Sequence, residues 1–351
     1  MGTRPILVTG AAGFIGAATV QRLLQRGDQV VGVDNLNDYY DPALKHARLE
    51  LNEVAASSAR AWVFRKLDIA DGDAISALFE SVRPSRVIHL AAQAGVRYSI
   101  ENPSAYIQSN LVGMGHVLEG CRQQQVEHLV YASSSSVYGG NRNLPFSERQ
   151  PVNHPVSLYA ATKKANELMA HTYSHLYDLP ATGLRFFTVY GPWGRPDMAP
   201  MLFAKAILAG EPIRVFNHGQ MRRDFTYIED VVEGVIRCLD KPATADPAYD
   251  AAAPDPATSW APHRVFNIGN SRPTGLLVFI GLLEELLRTK AHYLFEPMQA
   301  GDIEETAADT AMLEAWVGYR PNTELRRGLQ IFAEWILDTP IVKPHTNRPS
   351  P

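Results

Sequence analysis

Seven residues near the start of the chain, Gly10-Ala-Ala-Gly13-Phe14-Ile15-Gly16, restrict its possible architectures more than any other stretch. They follow the short β-branched run Ile6-Leu-Val-Thr9 and lead into Ala18-Thr-Val-Gln-Arg-Leu-Leu, which has helical periodicity. A strand, a glycine turn and a helix in that order form the context of a dinucleotide-binding turn. Glycine lets the backbone turn tightly and approach a pyrophosphate, whose charge then sits at a helix N-terminus. The spacing is G-x-x-G-x-x-G, and a strand-to-helix turn can also use glycine for shape alone. The second run, Gln29-Val-Val-Gly-Val33, ends in Asp34, with Asn35 opening the loop beyond it. A carboxylate there accepts hydrogen bonds from both ribose hydroxyls and repels a 2′-phosphate, which predicts NAD over NADP. Asp34 as a simple cap is the alternative reading.

The alternation continues. Ala61 to Leu67 reads as a third strand, with Asp68-Ile69 at its end to border an adenine. Arg86 to Leu90 is a fourth strand closing on the small residues Ala91-Ala92, past which a cofactor can run; His89, inside this apolar run, reads as a core histidine. Glu127 to Ala132 is a fifth, delivering Ser133 to Ser136 at its carboxyl end, and Thr182 to Val189 a sixth. Helices are predicted over 42–56, 71–82, 110–124 and from Tyr159 to Tyr177. This βαβα pattern predicts an α/β doubly wound parallel sheet, which binds ligands at the carboxyl ends of its strands. After Tyr190 the texture changes to a turn-rich loop, short helices over 200–209 and 229–239, and strands over 212–216 and 264–268, the latter at a sheet edge. A helix over 275–287 and a small mixed region follow. Residues 242–262 read as a long exposed loop and the Pro-rich tail from Pro340 as disordered. The expected division is 1–189 plus 225–269 for the Rossmann-type cofactor domain, 190–224 plus 270–338 for a smaller mixed α/β substrate lobe, and 339–351 for the tail.

Tyr159 and Lys163 lie one helical turn apart, so phenol and ammonium share a face. A tyrosine of pKa about 10 is a poor base at neutral pH, and a fixed positive charge nearby lowers that value. In isolation this spacing reads as an interfacial tyrosine beside a solvated lysine; the glycine turn and the upstream serine cluster reverse that reading. Other chemistries are disfavoured. A net charge of -4 and a pI near 6.3 give no electrostatic reason to expect nucleic acid or a membrane surface. No apolar run approaches the roughly 20 residues of a membrane span. Cys121 and Cys238 fall in helical segments without metal-ligand spacing, so no metal site is expected. The first strand starts too early to leave room for a signal peptide, so a cytoplasmic location is expected.

Gly10, Gly13, Gly16, Asp34, Asp68-Ile69, the run Tyr131-Ala-Ser-Ser-Ser-Ser-Val-Tyr-Gly139 and the pair Tyr159/Lys163 together resemble an extended short-chain dehydrogenase/reductase. Within that family the chain is similar to the UDP-glucuronate 4-epimerases. The stretches Asp34-Asn-Leu-Asn-Asp-Tyr-Tyr-Asp-Pro42, His89-Leu-Ala-Ala-Gln-Ala-Gly-Val-Arg-Tyr-Ser99 and Arg185-Phe-Phe-Thr-Val-Tyr-Gly-Pro-Trp-Gly-Arg-Pro-Asp-Met198 carry the likeness, which runs from Pro5 to about Trp335. The 242–262 segment and the tail depart from it.

The resemblance implies C4 epimerisation of UDP-glucuronate to UDP-galacturonate with a tightly held NAD. Ser134 corresponds to the Ser/Thr that hydrogen-bonds the sugar 4-hydroxyl and the tyrosine oxygen. Tyr159 corresponds to the base, and Lys163 to the residue that holds the nicotinamide ribose and lowers the tyrosine pKa. Leu90, Ala91, Ala92 and Phe187 would line the cofactor, and Ser134, Ser135 and Ser136 the sugar. Arg195 can offer a fork of donors to the C5 carboxylate and Thr188 a hydroxyl; a solvated loop arginine and a plain strand residue are the alternatives. UDP-glucuronate decarboxylases and nucleotide-sugar dehydratases carry an acid where Ser136 stands, so the intermediate is expected to keep its carboxylate. Arg223 corresponds to a diphosphate arginine and Asp302 to a ribose-contacting acid, against a surface ion pair and a turn cap; Arg97 fits a substrate contact and a surface role equally. UDP-glucose 4-epimerase, UDP-glucuronate decarboxylase and a non-catalytic NAD-binding regulator remain the competing readings. The family also implies a homodimer through helices near 102–122 and 160–177.

Overall fold

The computed structural model describes residues 4–56, 58, 61–299 and 301–339; the tail from Pro340 lies outside them. Six strands, β1 (Ile6–Thr9), β2 (Val30–Asp34), β3 (Trp62–Lys66), β4 (Arg86–His89), β5 (His128–Ser134) and β6 (Ala181–Phe186), join His263–Ile268 in one parallel sheet. From one side the order is His263–Ile268, β6, β5, β4, β1, β2, β3, with His263–Ile268 at the edge as expected. The order reverses direction between β1 and β4, and there the carboxyl ends open a crevice. The central strands are buried on both faces, so they read as unbroken apolar runs.

The helices α1 (Phe14–Arg26), α2 (Pro42–Ala55) and Ile228–Asp240 cover one face, where Leu23, Leu49 and Val235 join a single core. On the other face α3 (Gly72–Val82), Gly113–Gln123 and Leu158–Tyr177 bury Phe79, Val117 and Ala170. This is the doubly wound α/β architecture expected from the alternation. Small strands pair apart from this sheet, Pro212–Val215 with His292–Phe295 and Arg222–Arg223 with Thr274–Gly275, and the helix Leu276–Leu287 follows the last of these.

The structure corrects three boundaries. The expected sixth strand, Thr182 to Val189, is two: β6 ends at Phe186, and Thr188–Tyr190 pairs instead with Phe225–Tyr227. The break at Phe187 occurs because its N–H donates to Ile268 O while that of Thr188 donates to Asp224 O, so the chain changes partners within one residue. The helix expected from residue 110 begins as a π-helical turn, Ile107–Val112. The 242–262 segment is not simply exposed. Ala243, Ala257, Ser259 and Ala261 are buried, and Ala257 O accepts from Val265 N, so the segment shields the outer edge of the sheet.

Candidate active site

The crevice holds a cavity of about 360 Å³, lined by Gly10, Gly13, Phe14, Ile15, Gly16, Asp34, Asn35, Asp68 and Ile69 at one end. Its middle is formed by Leu90, Ala91, Ala92 and Phe187, and its far end by Ser134, Ser135, Ser136, Tyr159, Lys163, Thr188 and Arg195. Twenty of the residues singled out in the sequence therefore meet on one continuous wall, at the carboxyl ends of the parallel strands and on the turns, loops and helices that follow them.

The glycine turn has room for nothing else. A Cβ on Gly10, whose φ is +71°, would lie 2.7 Å from Ala91 N, and one on Gly16 would overlap Gly10 O. Gly13 caps α1 without a side-chain acceptor, so the first N–H groups of that helix remain for an anion. Asp34 closes this end. Its carboxylate accepts from Leu36 N at 2.9 Å and Ala12 N at 3.2 Å, with Lys45 Nζ at 4.0 Å. Asn35 Nδ2 donates to Asp68 Oδ2 at 2.9 Å, which joins the ends of β2 and β3. Neutral amides, a carboxylate and a long crevice fit a dinucleotide that lacks a 2′-phosphate. Lys45, buried beside Asp34 and donating to Asn37 O, was not singled out in the sequence, where it reads as one more polar residue of an amphipathic helix.

At the reaction end, Lys163 is buried and its ammonium donates to Ala132 O at 2.9 Å. Burial lowers its pKa to about 8. The Tyr159 phenol is raised above its ordinary pKa rather than lowered. Burial is the largest cause, and the Ser134 hydroxyl and the positive charge of Arg195 oppose it. His89 is a core histidine, sharing a 2.8 Å hydrogen bond with Thr9 Oγ1 and driven down to about 3 by burial and then by the Lys163 charge.

Arg195 reaches the cavity from the loop after Thr188–Tyr190, and Asp197 grips it from the same loop, Nε to Oδ1 at 3.0 Å and Nη2 to Oδ2. Tyr39, from the loop after β2, donates to Asp197 Oδ2 at 3.1 Å. Neither Tyr39 nor Asp197 was picked out singly, although both sit in the stretches that carry the family likeness; what makes them neighbours is a contact across the fold. Arg97, Asp302 and Arg223 do not line this cavity. They lie together beside it: Arg97 Nη2 meets Asp302 Oδ2 at 3.1 Å, the Arg97 guanidinium stacks on Phe216 at 4.8 Å, and Arg223 Nη1 donates to Glu304 O. Phe216 itself passed as a strand residue in the sequence.

A glycine-cradled dinucleotide crevice that ends in a Ser/Tyr/Lys set defines a nicotinamide-dependent enzyme on a doubly wound sheet. The chain belongs to the NAD dependent epimerase/dehydratase family, which it matches over residues 6–269. Among curated relatives it is 48% identical over 338 residues to UDP-glucuronate 4-epimerase 3 of Arabidopsis thaliana, covering 95% of this chain and 76% of that one. It is 44% identical over 333 residues to a probable UDP-glucuronate 4-epimerase of Rhizobium meliloti, covering 94% and 96%. Among solved structures it is similar to the UDP-glucuronic acid 4-epimerase of Bacillus cereus in complex with UDP-glucuronic acid and NAD. That match has a TM-score of 0.83 and 32% identity, covering 95% of this chain and 99% of that one.

Proposed function

We propose that the protein is an NAD-dependent 4-epimerase that interconverts UDP-glucuronate and UDP-galacturonate without losing the carboxylate. The observation that carries this is Arg195 in the same cavity as Tyr159, Ser134 and Lys163, close enough for its charge to act on the phenol. A neutral hexose would bring no carboxylate to the side of this guanidinium that Asp197 does not occupy, which disfavours UDP-glucose as the preferred substrate.

Bound NAD supplies a hydride acceptor and donor at the sugar C4. Tyr159, as phenolate, takes the C4 hydroxyl proton and returns it to the opposite configuration after the 4-keto sugar has turned over. Ser134, which lines the same cavity as the phenol, orients that hydroxyl. Lys163 holds the ribose of the cofactor and carries the positive charge that favours phenolate once both groups face a bound substrate. A 4-keto uronic acid is a β-keto acid, prone to lose CO₂. Ser136, with a hydroxyl in place of a carboxyl, supplies no acid for that step, while Arg195 and Thr188 hold the carboxylate in place. Arg97, Asp302 and Arg223 take the UDP end. Gly10, Gly13, Phe14, Ile15, Gly16, Asp34, Asn35, Asp68, Ile69, Leu90, Ala91, Ala92 and Phe187 take the NAD.

The division into a cofactor domain, 1–189 plus 225–269, and a substrate lobe, 190–224 plus 270–338, goes with this reading. So does a homodimer, supported by the exposure of Ile107, Leu168 and Leu176 on and beside the helices expected to pair. No helix among the described residues is long and apolar enough to cross a membrane, and a cytoplasmic site of action fits the sugar-nucleotide substrate. The test is to incubate purified protein with UDP-glucuronate and separate the products. Formation of UDP-galacturonate supports the assignment; a UDP-pentose, or inversion confined to uncharged hexoses, overturns it.

A further inference from the structure

Arg195 is the group that would distinguish a sugar acid from a sugar, and such a group works only if its direction is fixed. Of its two donor edges, the Nε–Nη2 edge is taken by both oxygens of Asp197, with Nη2 also 3.5 Å from Ala94 O. Among the described residues no protein acceptor meets Nη1. The carboxylate that grips the arginine is itself held. Tyr39 donates to Asp197 Oδ2, and the Tyr39 ring packs against Tyr98 with centroids 4.8 Å apart.

Charges at this junction are settled in advance. Burial pushes the Tyr39 phenol up to about 12, and the Asp197 charge adds to this, so Tyr39 stays a donor. For Asp197 burial acts upward, but the Arg195 charge, its hydrogen bonds and that of Tyr39 outweigh it and hold the carboxyl below its ordinary value. Gly95 keeps the space open. Its φ is +112°, and a Cβ there would lie 3.2 Å from Tyr39 Oη and 3.8 Å from Arg195 Nη2.

We propose that Tyr39 and Asp197 are positioning residues that set the anion specificity of the pocket, by clamping one edge of Arg195 and presenting its Nη1 edge to the carboxylate of the sugar acid. The inference rests on the function proposed above and adds to it the two residues that aim the arginine. It also ties the two ends of the cavity together. Tyr39 belongs to the loop that begins at Asp34, so the element that grips the cofactor ribose also supports the reading of the substrate's charge.

Simple charge counting predicts the opposite behaviour, which makes the idea testable. Asp197 is an anion near a site for an anion, and its removal should tighten UDP-glucuronate binding if only net charge mattered. If it positions Arg195, removal should weaken it. The experiment is calorimetric binding of UDP-glucuronate and UDP-glucose to the NAD-loaded wild type and to Asp197→Ala, Asp197→Asn and Tyr39→Phe, with retained NAD and thermal unfolding recorded for each. Asp197→Ala is expected to weaken UDP-glucuronate about tenfold or more, the scale of a lost charge-assisted hydrogen bond, and UDP-glucose by less than about twofold. Asp197→Asn, which keeps one acceptor, should recover part of the loss, and Tyr39→Phe should show a smaller loss of the same selectivity. Unchanged or tighter UDP-glucuronate binding in Asp197→Ala, or equal weakening of both ligands, overturns the proposal. Failure of the wild type to prefer the sugar acid would instead strike at the proposed function, so the two failures are distinguishable.

Discussion

Arg185 donates from Nε and Nη2 to both oxygens of Glu167 at 2.8 and 2.9 Å, and both side chains are almost fully buried. Glu167 Oε1 also accepts from Ser133 Oγ at 2.7 Å, and Arg185 Nη1 donates to Tyr138 Oη. This network joins β6 and the serine-bearing end of β5 to the helix that carries Tyr159 and Lys163. The base is therefore held in register with the serines by a buried ion pair about two turns further along its own helix.

Breaking that pair leaves a buried guanidinium uncompensated. Glu167→Gln is expected to destabilise the fold by about 3–5 kcal/mol, measured by chemical denaturation. The pH dependence has a definite sign. Burial raises the Glu167 pKa, but the Arg185 charge and hydrogen bonds prevail and lower it to about 2. Its contribution is thus complete above the ordinary value of 4.5 and is lost as the pH falls from there through about 2. Wild type should lose stability over that range, and Glu167→Gln should lose less.

Tyr159→Phe removes the hydroxyl that takes the proton and little else. Turnover of UDP-glucuronate should fall by a factor of about 10² to 10⁴ or more, with NAD still bound. The measurement is product formation alongside the nicotinamide released on denaturation; substantial remaining turnover would refute the base assignment.

Lys163 is depressed to about 8 from 10.5, so at neutral pH its charge is buried at a cost. Below about pH 8 both folded and unfolded states hold the proton and the penalty is constant; between 8 and 10.5 the unfolded state binds more, so this group makes stability rise with pH. Lys163→Met should stabilise the cofactor-free protein near pH 7 and remove that rise, while reducing turnover by about 10² or more. Thermal melts of the cofactor-free protein across pH 7 to 10.5 decide it.

Asp34→Asn keeps acceptance from one backbone amide and removes the charge that repels a 2′-phosphate. NADP binding should improve relative to NAD by about tenfold or more, read from competitive loading of the cofactor-free protein. An unchanged ratio would mean that Asp34 serves only to fold its loop through Leu36 N and Ala12 N.

Local pattern was enough for the parallel sheet, the glycine turn, Asp34 at the end of β2, and the Tyr159/Lys163 face, because each depends on periodicity or on residues within a few positions of one another. Relations that cross the chain were not legible. The switch of partner at Phe187 needs Ile268 and Asp224 in place, and the packing of 242–262 on the edge strand needs that edge to exist. Tyr39 meets Asp197 although they are 158 residues apart in sequence. The Tyr159 pKa shows the same division. A helix brings Lys163 onto its face, but burial, Ser134 and Arg195 set the balance, and those belong to separate strands and loops that only folding brings within reach of the phenol.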